Sequence, residues 1–145
     1  MTETLPTTHH NEALARAVFA EVFNGHDLGL IDEYFGLDYA HDAPIPPGRD
    51  SFKAFMTAVF AAFPDFSGTL EDVIAADDKV VCRSTWRGTH RAELMGIPAT
   101  GRTVEYGVIE IFRVEDGRFV EHWQQADTLS MFQQLGLVPE LGSDG

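Results

Sequence analysis

The chain reads as one α+β domain, a curved antiparallel sheet packed against three to four helices, on three observations. Apolar residues recur at helical steps through the first half, while β-branched and aromatic runs joined by tight turns fill the second. Pro and Gly cluster at the boundaries between these segments. Helices followed by a run of consecutive strands build a layered α+β fold, not alternating βαβ units.

Residues 1–10 are polar and are expected to be a flexible lead, 11–138 the domain and 139–145 a tail. Between Asn11 and Phe23 the residues Leu14, Ala17, Val18 and Val22 share one stripe, which predicts an amphipathic helix stopped by Asn24-Gly25-His26-Asp27. A shorter helix is predicted over Leu28 to Phe35, then a short extended piece from Tyr39 to Ala43 that runs into Pro44, Pro46, Pro47 and Gly48. Asp50 or Ser51 is a candidate cap for a third helix, where Phe52, Phe55, Met56, Val59, Phe60 and Phe63 recur at three and four residue steps until Pro64. Six large apolar groups on one face need a broad partner surface. Strands predicted over Phe66 to Ala76, Lys79 to Ala92, Thr103 to Val114 and Arg118 to Asp127 supply it, with turns at Asp77-Asp78 and Asp116-Gly117. A last helix is predicted over Thr128 to Leu135. A curved sheet with helices on one face leaves room for a cavity between them.

With 145 residues the chain holds one core and one pocket. A net charge of −13, with the acids spread along the chain, argues against nucleic acid and against anionic membrane surfaces. It favours a small neutral or apolar ligand. Cys82 is the single cysteine, which leaves no disulfide within the chain and no cysteine cluster for zinc. The first ten residues have neither a basic nor an apolar stretch and no later segment is apolar enough to span a bilayer, so a cytoplasmic protein is expected.

Several short motifs appear together and in order: Phe23-Asn24-Gly25-His26-Asp27, His41 before Pro44, Pro47-Gly48-Arg49, Ala62-Phe63-Pro64-Asp65-Phe66, Asp78-Lys79-Val80-Val81, Gly88-Thr89-His90, Gly96-Ile97-Pro98-Ala99-Thr100-Gly101-Arg102, Asp116-Gly117, Glu121-His122-Trp123 and Gln134-Leu135-Gly136. As a set they resemble the SnoaL-like polyketide cyclase (ester cyclase) family of the NTF2-like superfamily, over roughly residues 11–138. The resemblance implies a cone-shaped α+β barrel with a deep pocket between sheet and helices, and a homodimer or homotetramer formed through the outer sheet face. It also implies intramolecular aldol ring closure of a small hydrophobic or aromatic carbonyl substrate, with no metal or cofactor. The acid/base carboxylate of such cyclases lies in the last strand, a position that Asp127 matches.

Aldol closure needs a base for a proton next to a carbonyl, stabilisation of the enolate and a proton for the new alkoxide. One buried carboxylate between aromatic walls serves as base and then as acid, which makes Asp127 the first candidate. The competing role of Asp127 is an N-cap, since it directly precedes Thr128 and the last helix. His90, at the end of a long strand, is a candidate donor to a substrate oxygen or a plain strand-end histidine. His41 is a candidate lining residue, and His26 and His122 are expected at the surface or in caps. If Asp127 faces inward and no bulge intervenes, Gln125, Trp123 and Glu121 share its face.

Glu110, between Ile109 and Ile111 and in phase with Tyr106 and Phe112, is either solvent-facing or a second pocket carboxylate. Related cyclases commonly carry His in that strand, so Glu110 departs from the pattern. Arg83 either holds a partner acid or binds an enolate oxygen. Phe63, Phe66, Trp86, Met95 and Trp123 are candidate walls for a flat ligand. The loop from Glu93 to Arg102 is long for a hairpin and reads as a lid or as an interface loop. Three other functions stay open: epoxide hydrolysis, if Arg83 and Glu110 come beside Asp127; oxygen-dependent ring hydroxylation; and ligand binding without chemistry. Spacing gives no metal site, since no pair of histidines stands at i, i+4 beside an acid.

Overall fold

The computed structural model describes residues 7–42 and 45–139. Helix α1 (Thr7–Ala17) continues as wider π-helical turns over Val18–Asn24. It begins inside the expected lead, of which residues 1–6 lie outside the described residues, as do Ala43, Pro44 and the tail beyond Pro139. Its buried side is Ala15, Val18, Phe19, Val22 and Phe23, so the wide turns bring two phenylalanines inward beside the valines. A 3-10 turn (Leu28–Leu30) leads into the single turn α2 (Ile31–Tyr34) and strand β1 (Phe35–Ala40). The extended segment therefore starts at Phe35, four residues earlier than Tyr39.

Helix α3 (Arg49–Ala62) is capped by Gly48, without a side-chain cap from Asp50 or Ser51. Gly48 has φ 107° and donates its N–H to the Tyr39 carbonyl at 2.8 Å, a backbone turn open to glycine because it lacks Cβ. Strands β2 (Ser67–Ala76), β3 (Lys79–Thr89), β4 (Thr103–Glu115) and β5 (Arg118–Ala126) follow, and α4 (Thr128–Gln134) closes the order.

The sheet runs β1-β5-β4-β3-β2, with β2 to β5 as the expected antiparallel meander. Strand β1 corrects the antiparallel reading: it joins the free edge of β5 in parallel, so the sheet is mixed. Helices α1 and α3 lie against the concave face, and the core fills the space between. Phe35, Tyr39, Phe112 and Phe119 are fully buried at one end, with Phe112 stacked on Phe119 at 4.2 Å. Each such side chain contributes about 1.5–3 kcal/mol when taken from water. A second aromatic group stands further along, where Trp86 touches Phe19, Phe23 and Phe66 and donates its ring N–H to Ser84 Oγ at 2.9 Å.

One irregularity decides the site. On β4 the inward residues Phe112 and Val114 are two apart, but their β5 partners His122 and Phe119 are three apart. The extra residue is a β-bulge, and it reverses the in/out alternation beyond it. Reading β5 outward from the buried Phe119 without a bulge puts Glu121, Trp123, Gln125 and Asp127 inside. With the bulge, His122 points in instead.

Candidate active site

Between sheet and helices lies a cavity of about 640 Å³. Phe63, Phe66, Trp86 and Tyr106 form flat walls, and Leu94, Met95 and Ile97 from the loop before β4 close one side. The loop therefore belongs to the cavity wall. His41, His90, Glu110 and Gln125 also line the space, so nine of the twelve candidate residues come together.

Asp127, Arg83 and Trp123 do not reach this space. Asp127 is exposed and caps α4, accepting the Ser130 N–H on Oδ1 at 3.1 Å, and it borders a shallow depression with Arg83 on the outer sheet face. Arg83 is exposed and paired with Asp72 at 2.6 Å. Trp123 lies 41% exposed on the outer face. The inward Asp127 of the sequence reading is thus corrected, and so is the set of Arg83 and Glu110 beside Asp127 needed for epoxide hydrolysis: Arg83 and Glu110 alternate to opposite faces of the sheet.

The carboxylate inside is Glu110, only 5% exposed. Its Oε2 lies 3.2 Å from Nε2 of His122, itself 7% exposed, which corrects the surface or capping position expected from its being out of phase with Trp123 and Asp127. Glu110 pairs across the sheet with Gln124 and Phe112 with His122, so the acid and the imidazole are diagonal neighbours on one face. His122 Nε2 is also 3.2 Å from Gln124 Oε1. Two acceptors beside Nε2 place the ring proton there. The ring lies parallel to Phe112 at 5.0 Å and to Tyr39 at 6.0 Å, which locks its plane. Glu110 Oε1, His122 Nδ1 and Tyr39 Oη are buried with no partner in the protein.

Burial, reinforced by Glu110, pushes the Tyr39 phenol well above its ordinary value and the Tyr106 phenol to about 12. The same pair of causes raises the buried Cys82 thiol, opposite Glu110 in the register, to about 12. Both phenols therefore stay protonated at neutral pH and act as O–H donors. His41 is shifted down, by burial and then by the neighbouring His122. Among the described residues no group of three or more His, Cys, Asp or Glu is arranged to hold a metal ion, and no helix is long and apolar enough to cross a membrane.

The residues that sequence reasoning missed are His122, Tyr39 and Gln124. Tyr39 fell in the extended piece already, and His122 and Gln124 needed only the one-residue bulge to come inward.

A curved five-stranded sheet wrapped around helices, with a mainly apolar cavity between them and the buried Glu110 inside it, defines a cone-shaped α+β protein of the NTF2-like kind. The chain belongs to the family described as SnoaL-like polyketide cyclase, whose model matches residues 13–135. It is 28% identical over 123 residues to the aklanonic acid methyl ester cyclase DnrD of Streptomyces peucetius, covering 80% of this chain and 84% of that protein. Among solved structures it is similar to TsrD from Streptomyces laurentii, with 31% identity and a TM-score of 0.83 over 93% of this chain and all (100%) of the other. IdmH from Streptomyces antibioticus is 35% identical, with a TM-score of 0.71 over 86% of this chain and 96% of its own.

Proposed function

We propose that this protein is a cofactor-independent cyclase that closes a ring of a small aromatic or polyketide carbonyl substrate by intramolecular aldol reaction, with Glu110 as the acid/base group. The observation that carries this reading is the Glu110–His122 pair, 3.2 Å apart and buried in a mainly apolar cavity. Glu110 Oε1, free of protein partners, takes the proton from carbon next to a carbonyl. The enolate carbon bonds to a second carbonyl of the same molecule, and the alkoxide so formed takes the proton back from Glu110. His122 donates Nε2–H to Oε2 and holds the carboxylate in place, the role that an orienting partner has for a base. Tyr39 and Tyr106, kept protonated, supply O–H groups to the oxygen on which negative charge develops.

Membership of the cyclase family and the name of the DnrD relative support this substrate class. The acid and the histidine have exchanged strands relative to the pattern expected from the family, Glu110 on β4 and His122 on β5. Binding without chemistry is the competing reading, favoured by the capping role of Asp127.

Aklanonic acid methyl ester and related linear aromatic esters, incubated with the purified protein and followed by chromatography, decide between them. Cyclised product is expected. Glu110→Gln should lower kcat by about a hundred- to ten-thousand-fold, as loss of a general acid/base does, while Asp127→Asn keeps it. Wild-type turnover by Glu110→Gln sinks the assignment, and absence of any product from the wild type favours the binder.

A further inference from the structure

His90 stands apart from the Glu110–His122 pair. It follows the last residue of β3, is 1% exposed and lies stacked on Phe63 at 5.2 Å. Its Nδ1 accepts the backbone N–H of Thr100 at 3.3 Å and is 3.1 Å from Thr100 Oγ1. That hydroxyl oxygen accepts the Arg102 N–H at 3.3 Å, which leaves its own proton to point at the ring. Two donors on Nδ1 put the ring proton on Nε2. The Nε2–H is buried and has no partner in the protein, although His90 lines the cavity. A buried donor without an acceptor is unfavourable, so such a group is matched to something the cavity receives.

The position of His90 limits what that something is. Cys82 pairs with Glu110, and His90 follows eight residues further along the chain. At roughly 3.3 Å per residue the two sites are about 26 Å apart along a straight strand, a span that sheet curvature and the inward side chains shorten. One compact carbonyl does not touch both. An elongated molecule does, and the walls between, Phe63, Phe66, Trp86 and Tyr106, are flat. No Lys or Arg is among the residues lining the cavity, so the donor there suits an uncharged oxygen and not a carboxylate.

We infer that His90 is a specificity-determining anchor, whose Nε2–H binds an uncharged carbonyl oxygen at the far end of an elongated flat substrate, with Thr100 as the positioning residue that holds the ring proton on Nε2. The inference rests on the cyclase reading for the aromatic carbonyl class of ligand, but not for the chemistry at Glu110.

Fluorescence titration with hydroxymethyl-anthraquinone and hydroxymethyl-anthracene, which differ only in the two ring carbonyls, tests it. Wild type should bind the quinone about ten-fold more tightly, the worth of one hydrogen bond to a neutral acceptor. His90→Phe, which keeps the stack on Phe63, should lose that preference and keep its affinity for the hydrocarbon. Imidazole nitrogen NMR of the unmutated protein should show the His90 proton on Nε2, with that signal moving on saturation by the quinone and not by the hydrocarbon. Thr100→Val should admit the second tautomer in the same spectrum, and an unchanged spectrum removes its positioning role. A proton on Nδ1, equal wild-type affinities, or a preference that survives in His90→Phe overturns the anchor. The anchor is read from probe binding and the acid/base assignment from turnover, so an active Glu110→Gln sinks the acid/base assignment and leaves the anchor standing.

Discussion

At Asp127 the carboxylate accepts a single helix amide, that of Ser130, and stays in water. A neutral amide side chain performs that task nearly as well, since Asn is as good a cap as Asp. Asp127→Ala removes the acceptor altogether and should lower stability by about 1 kcal/mol, read as a shift of the urea midpoint, with Asp127→Asn close to wild type. Cyclisation should persist in both. Glu110 is the opposite case, because its surroundings are apolar and its one protein partner is an imidazole held between two aromatic rings. That is an arrangement suited to moving a proton, and burial, reinforced by Glu110, keeps the phenols of Tyr39 and Tyr106 protonated beside it.

Among the elements, the end of α1 is tied to β2 by one side chain. Asn24 Nδ2 donates to the Gly68 carbonyl at 2.9 Å, and its Oδ1 accepts the Gly68 N–H at 2.7 Å. Gly68 has no room for more: a Cβ there would come within 2.6 Å of the Trp86 ring. The clamp thus seats the helix on the strand while the strand seats the cavity wall. Asn24→Ala removes two partly buried hydrogen bonds and should cost about 2 kcal/mol by denaturant titration, with weaker quenching of Trp86 by cavity ligands.

The same elements show what the sequence made legible. Helical periodicity located α1 and α3, and β-branched runs bounded by turns located the four meander strands, with α4 after them, to within a few residues. Strand β1 was read short because Phe35, Gly36 and Leu37 follow a helical stripe directly, and its pairing is settled by residues far away. Of the nine candidates that line the cavity, Trp86, Tyr106, Glu110 and Gln125 lie on strands, while His41, Phe63, Phe66, His90 and Met95 lie in loops or at element ends. Asp127 was expected inside because it matches the family position at the end of the last strand, and His122 outside because it is out of phase with Asp127. The register of β5, with His122 opposite the inward Phe112, reverses both. A bulge between two apolar strands leaves no mark in the alternation until the partner register is known.

At the scale of the whole molecule the outer sheet face carries its own pattern. Ile74, Val81, Ile111 and Trp123 lie in one row across β2 to β5 by direct register. Ile74 and Trp123 are exposed, as is Ile109 next to the row. An apolar row in a protein of charge −13 is a candidate contact surface, and a second copy of the chain carries the same row. Sedimentation should report a homodimer or homotetramer, and Trp123→Glu should shift it to monomer without loss of fold. A monomeric wild type would remove this assembly.

The parallel edge between β1 and β5 also governs the order in which the chain acquires its shape. Phe35 pairs with Phe119, so the first strand waits for roughly eighty more residues before its partner exists. Hairpins from β2 to β5 close locally, but the floor of the cavity, where Phe35 and Tyr39 meet Phe112 and Phe119, closes only after such a distant loop is drawn shut. Contacts of that span slow folding toward the millisecond-to-second range. On the ribosome, at about 5–20 residues per second, the first third of the chain stands with its apolar stripe uncovered for seconds, and the cavity takes shape only once the distant edge strand has docked.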